Sequence, residues 1–107
     1  MLTPNEISEL VSKTLDGKKA QDIVTIRTSD VTVLADYFVI CTANSTTHIR
    51  TLSDEVEKIL EENGEPPLRR EGHRGGGWVL LDFGCVVAHL FLREVREFYD
   101  LEGKWSL

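Results

Sequence analysis

The sequence predicts an α/β fold: one domain over residues 1–107, a mixed β-sheet with helices packed on its faces. Three observations carry this reading. At 107 residues the chain has the length of one ordinary domain, about 100–150 residues. Helical and strand-like hydrophobic patterns interleave in the order helix, strand, strand, helix, two or three strands, helix. One strand-like run is apolar on both faces, as a strand covered from both sides must be.

Thr3-Pro4-Asn5-Glu6 has the form of a helix start, with a capping-box Thr and Glu and Pro at the first helical position. Ile7, Leu10, Val11 and Leu15 follow at helical spacing, and Gly17 supplies a stop. Ile23–Arg27 and Asp36–Thr42 are rich in β-branched and aromatic residues and predict two strands. In the second, Tyr37, Val39 and Cys41 point one way and Phe38 and Ile40 the other, which marks a central strand. Asn44 and Ser45 are N-cap types opening a helix from Thr46 to about Asn63. Ile49, Leu52, Val56, Ile59 and Leu60 form its buried stripe, while Asp54, Glu55, Glu57, Lys58, Glu61 and Glu62 make a solvated face.

After Pro66-Pro67, Leu68–Gly72 is a candidate edge strand and Gly75-Gly76-Gly77 a loop tip. Trp78–Phe83 and Cys85–Leu92 flank Gly84, which suits a tight antiparallel hairpin with that glycine at positive φ. Arg93–Asp100 has the composition of a short helix, and Leu101–Leu107 that of a tail.

Composition narrows the function classes. Twelve Lys+Arg against 18 Asp+Glu leave a net charge of −6, which disfavours free nucleic acid as the main partner, because phosphate binding needs a basic face. A basic protein fits better. With 41% hydrophobic residues a packed core is expected, and no run approaches the roughly 20 apolar residues of a membrane span. The N-terminal MLTPNEISEL has neither the cationic-then-apolar form of a signal peptide nor the low acidity of a transit peptide. Cys41 and Cys85 sit inside apolar runs and are expected to be buried small hydrophobes, consistent with reduced thiols in the cytoplasm.

No catalytic constellation assembles. Gly72-His73-Arg74-Gly75-Gly76-Gly77 runs into a strand, whereas a phosphate cradle opens a helix. His48, His73 and His89 have no zinc-ligand spacing, so neither a metal nor a cofactor is expected. Cys85 and His89 share a strand face but stand about 13 Å apart, too far for a nucleophile pair. Nucleotide transfer would need two metal-binding aspartates one residue apart, and no Asp-x-Asp occurs. What remains is one strand face bearing Trp78, Leu80 and Asp82, opposite Val79, Leu81 and Phe83. An indole beside a carboxylate suits an interface with a basic partner; packing under the C-terminal helix is the structural alternative. A minimal nucleotidyltransferase-like enzyme and an acidic adaptor for some other basic protein are the competing functional classes.

Five ordered blocks resemble the Iojap family, the ribosomal silencing factors. They are Lys18-Lys19-Ala20-Gln21-Asp22-Ile23-Val24, Ala35-Asp36-Tyr37-Phe38-Val39-Ile40-Cys41-Thr42 with Asn44-Ser45, and Trp78-Val79-Leu80-Leu81-Asp82-Phe83-Gly84. Val86-Val87-Ala88-His89-Leu90-Phe91 and Glu94-Val95-Arg96-Glu97-Phe98-Tyr99-Asp100-Leu101-Glu102 with Trp105 complete the set. The resemblance implies a nucleotidyltransferase-like fold without that superfamily's catalytic aspartates, hence not an enzyme. It implies binding to ribosomal protein L-fourteen of the large subunit, steric block of subunit association, and translational repression under nutrient limitation, frequently as a homodimer. Matching positions that inherit a binding role are Asp36, Tyr37, Trp78, Leu80, Asp82, His89 and Tyr99. Three positions depart from the family pattern: Cys85 for a usual Asp, His48 for a common Gln, and Lys104 for a usual Leu. The first removes an acidic group from the hairpin; the other two bear on helix and tail packing.

Overall fold

The computed structural model describes residues 1–29, 35–72, 76–101 and 103. His73, Arg74, Gly75, Glu102, Lys104 and Trp105, on which some expectations fell, lie outside them. The described elements are α1 (Pro4–Gly17), β1 (Gln21–Arg27), β2 (Tyr37–Ala43), α2 (Thr46–Glu62), β3 (Arg69–Gly72), β4 (Trp78–Asp82), β5 (Val86–Leu92) and α3 (Arg93–Tyr99). Their order is the predicted one, with three strands between α2 and α3.

The strands form one mixed sheet in the order β1-β2-β5-β4-β3. Pairing of β2 with β5 is parallel, and the other three pairings are antiparallel. β2 is interior, as its two apolar faces predict, while the middle place falls to β5. Period-2 alternation then sorts the side chains. Val39 and Cys41 of β2, Leu81 of β4 and Val86, Ala88 and Leu90 of β5 point to one side and are buried. Ile7, Val11 and Leu15 of α1 and Ile49, Leu52, Val56 and Leu60 of α2 complete that core.

Local chemistry explains the boundaries. The Thr3 hydroxyl accepts the Glu6 N–H at 3.1 Å and the Glu6 carboxylate accepts the Thr3 N–H at 2.9 Å, so the predicted capping box is formed. The predicted stop at Gly17 is displaced: Gly17 is the last helical residue, Lys18 caps it, and Lys19 takes the left-handed φ of 67°. A return bond from the Ala20 N–H to the Leu15 carbonyl, 3.0 Å, holds that lysine in place. β1 begins two residues earlier than Ile23, because a bulge with Asp22 at φ 49° breaks the alternation that marks a strand. At the β4–β5 hairpin Gly84 has φ 88°, as expected of the glycine there. Cys85 belongs to this turn and is half-buried, a correction to its expected place in a strand; Cys41 is fully buried.

β3 is a four-residue edge strand exposed throughout. Its alternation sends Arg70 to Asp54 and Glu57 of α2, at 2.9 and 3.2 Å, and Arg69 to Asp82 of β4 at 3.0 Å. Exposed pairs of this kind contribute little stability, so the α1/α2 core carries the fold. Leu81 lies fully buried in it. Truncating Leu81→Ala is expected to cost about 3 kcal/mol through lost burial and the cavity left behind, read as a lower urea midpoint with an unchanged slope.

Candidate functional site

The second face of the sheet presents Phe38, Ile40 and Thr42 of β2 beside Val87, His89 and Phe91 of β5. Next to these come Asp82, Leu80 and Trp78 of β4. The seven-residue α3 packs over the Trp78 end of this face. Two contacts hold it there. The Arg96 guanidinium, buried, donates to the Asp22 carbonyl and the Thr42 hydroxyl, each at 2.7 Å. Gly77 allows the close approach, since a Cβ at that position would stand 2.9 Å from Val95 Cγ2. Phe38, Trp78, Leu80 and Val87 are each half-buried, so away from α3 the face is apolar and accessible.

His89 lies at its centre. The indole N–H of Trp78 donates to His89 Nδ1 at 3.1 Å, and the two rings lie 5.9 Å apart. Phe38 meets the imidazole edge-on at 5.0 Å, and Phe91 stacks parallel to it at 6.0 Å. This apolar enclosure disfavours the imidazolium, and burial pushes the His89 pKa down to about 4. With Nδ1 accepting, the single proton of the neutral ring sits on Nε2. Among the described residues nothing accepts from that Nε2–H.

A family model described as "Ribosomal silencing factor during starvation" matches residues 2–106. A ribosomal silencing factor from Halalkalibacterium halodurans is 34% identical over 105 residues, 98% of this chain and 90% of the relative.

The chain belongs to the ribosomal silencing factor family.

A crystal structure of a Chromobacterium violaceum protein, 36% identical, superposes with a TM-score of 0.93 over 97% of this chain and 87% of that one. A mouse relative named "Mitochondrial assembly of ribosomal large subunit protein 1" is 36% identical over 95% of this chain and 46% of its own length.

Within this family member, Trp78, Leu80, Asp82, His89 and Tyr99 come together on the second face. The Tyr99 ring lies 4.7 Å from that of Trp78. Trp78 thus packs under α3, the structural alternative, and still forms part of an accessible surface. Tyr37 goes elsewhere: it alternates with Phe38 and packs against the α1/α2 core on the opposite side. Asp36 sits at the hairpin end, its N–H donating to the Cys85 carbonyl at 2.7 Å and its carbonyl accepting from Thr28 at 2.8 Å. Both Asp82 oxygens are occupied within the chain, one by the Gly84 N–H at 2.8 Å and the other by Arg69 Nε at 3.0 Å. That carboxylate closes the hairpin and ties down β3.

Sequence reasoning missed Phe98, which is 77% exposed beside Tyr99 at 40%. Successive helical residues diverge by about 100°, so only one of two adjacent aromatics can face the sheet. Arg96 was missed as well, since its role needs carbonyl and hydroxyl partners distant in sequence. Burial pushes the Cys41 thiol up to about 12, and burial followed by the nearby Asp36 and Glu65 carboxylates raises that of Cys85. Neither is a thiolate at neutral pH. His48 is engaged by the Asn44 N–H and the Lys18 carbonyl, each at 2.9 Å. Among the described residues no group of three His, Cys, Asp or Glu side chains could hold a metal.

Two predictions follow from this geometry. An unfolded His89 takes up a proton near its ordinary pKa of 6.5, the folded one only near 4. Between those values the unfolded state holds more protons, so the contribution is complete above pH 6.5 and is lost as pH falls. Between pH 7 and pH 4.5, wild type should lose about 2 kcal/mol more stability than His89→Gln in parallel urea titrations. Separately, Gly77→Ala is expected to push α3 outward at a cost of about 1 kcal/mol, seen as a lower Tm and loss of NOEs between the Trp78 and Tyr99 rings.

Proposed function

We propose that this protein docks on ribosomal protein L-fourteen of the large ribosomal subunit, at the surface that meets the small subunit. Occupying that surface prevents subunit joining and lowers translation when nutrients are short. The reading rests on family membership and on one structural observation, the second sheet face with its half-buried Phe38, Trp78, Leu80 and Val87 beside exposed Phe98 and Tyr99. A surface rich in large aromatics on a rigid sheet supplies contact area at low entropic cost, the chemistry of an interface anchor. Docking and steric exclusion suffice for this role, with no catalytic step, metal or cofactor, and it is exercised in the cytoplasm. Among the described residues no helix is long and apolar enough to cross a membrane.

Charge placement supports a protein rather than an RNA contact. The acidic side of α2, including Asp54 and Glu57, belongs to the layer on the opposite face of the sheet from Trp78. With a net charge of −6 the chain is repelled by ribosomal phosphates and attracted to a basic ribosomal protein. Encounter is steered by rim charges and therefore weakens as salt rises.

The docking surface is tested by co-sedimentation of the folded protein with purified large subunits, followed by a subunit-joining assay. Trp78→Ala should weaken binding by about 2 kcal/mol, close to thirtyfold, and restore joining. Because Trp78 also contacts α3, Leu80→Glu provides a second variant on a half-exposed site, with the same direction expected. Unchanged co-sedimentation of both folded variants would remove this face from the interface.

A further inference from the structure

On the docking reading just given, we infer that Glu71 is the residue that receives a cation from the docked protein. That cation is one long basic side chain, an arginine or lysine. Its apolar stem lies along Leu80 and its charged head reaches the Glu71 carboxylate.

Strand register places these two residues together. β3 pairs with β4 so that Glu71 stands opposite Leu80 and Arg69 opposite Asp82. Opposed residues of an antiparallel pair project to the same side, and Arg69 does bond Asp82 there at 3.0 Å. Glu71 therefore stands at the outer margin of the second face, on the edge strand next to Leu80. Leu80 is half-buried and the Glu71 side chain is 54% exposed, so a partner seated over Trp78 and Leu80 meets both. Lysine and arginine suit such a junction, because their methylene stems bury against apolar surface while the head stays at a polar edge.

Other acids on this side have cations or donors beside them. Asp82 gives one oxygen to the Gly84 N–H and the other to Arg69 Nε. Asp22 pairs with Arg93 at 3.0 Å, and Glu94, Glu97 and Asp100 each line a cleft with Arg93. Glu71 is held more loosely. Arg69 Nη1 is 3.7 Å from it, beyond hydrogen-bond reach, and among the described residues its carboxylate accepts no hydrogen bond. Arg69, Asp82 and Glu71 together carry one positive and two negative charges, so an incoming cation meets a net negative edge. The apolar face thus supplies contact area, and Glu71 supplies the charge that favours a basic partner.

Binding to purified large ribosomal subunits, titrated at low and high salt with magnesium held constant, tests the assignment; thermal denaturation checks the fold of each variant. Glu71→Gln should bind about fivefold more weakly at low salt, with the gap closing at high salt, as expected of an exposed ion pair. Glu61→Gln removes the same charge from an exposed position of α2, in the opposite layer, and should match wild type at both salts. A side chain that bridges two residues also couples them. Leu80→Ala should weaken binding, and adding Glu71→Gln to it should cost less than about twofold more. The assignment is overturned, with the docking reading intact, if Glu71→Gln binds as wild type does at low salt. Equal weakening by Glu61→Gln, or Leu80→Ala and Glu71→Gln losses that multiply in full, overturns it too. Should Leu80→Ala fail to fold, the Glu71 and Glu61 variants decide. Failure of wild type itself to bind overturns the docking reading and this assignment with it.

Discussion

Parallel pairing of β2 with β5 is the constraint on which everything else depends. Seven successive pairs, from Tyr37↔Val86 to Ala43↔Leu92, join segments far apart in the chain. A parallel pair cannot be closed by a tight turn, so the chain must cross over, and α2 with the β3–β4 ribbon lies within that crossover. The same register decides which residues meet on each face. Val39 beside Ala88 belongs to the α1/α2 core; Phe38 beside Val87 and Ile40 beside His89 belong to the other side. A slip of one residue would exchange the two sets and bury the imidazole under α1 and α2.

The two faces are finished differently. The α1/α2 side is a conventional apolar core. Under α3 lie polar groups that need partners: Arg96 bonded to a carbonyl and a hydroxyl, Thr42 accepting from it, and His89 accepting from an indole. Polar contacts have directional requirements that apolar packing lacks, so they fix the angle at which α3 crosses the sheet. The position of the exposed Phe98 and Tyr99 therefore derives from hydrogen bonds buried beneath them.

Much of this was legible in the sequence because it is local. Thr3-Pro4-Asn5-Glu6, the stripe from Ile49 to Leu60 and Gly84 between two apolar runs each encode their element within a few residues. The alternation placing Trp78, Leu80 and Asp82 on one face is equally local. Lys19 and Asp22 were hidden because both adopt positive φ where glycine or asparagine is usual, held by neighbours rather than by their own preference. The order of the strands, the seat of Tyr37 on the opposite face and the double engagement of Asp82 all depend on pairing across the sheet. No single stretch of chain records that information. Of the seven residues singled out by the family resemblance, five share the second face, with Asp36 at the hairpin end and Tyr37 on the core side.

The short, charged β3 has a further consequence. A sheet with one accessible apolar face is at risk of growing sideways, because an open edge offers unpaired N–H and C=O groups to any passing strand. Here that edge is four residues long, and its side chains alternate Arg69, Arg70 and Glu71, tied inward to β4 and α2. Another strand laid against it would gain few ladder bonds and would have to desolvate those charges. Sideways growth at that edge is therefore disfavoured, and the other edge of the sheet is the seven-residue β1, bent by its bulge at Asp22.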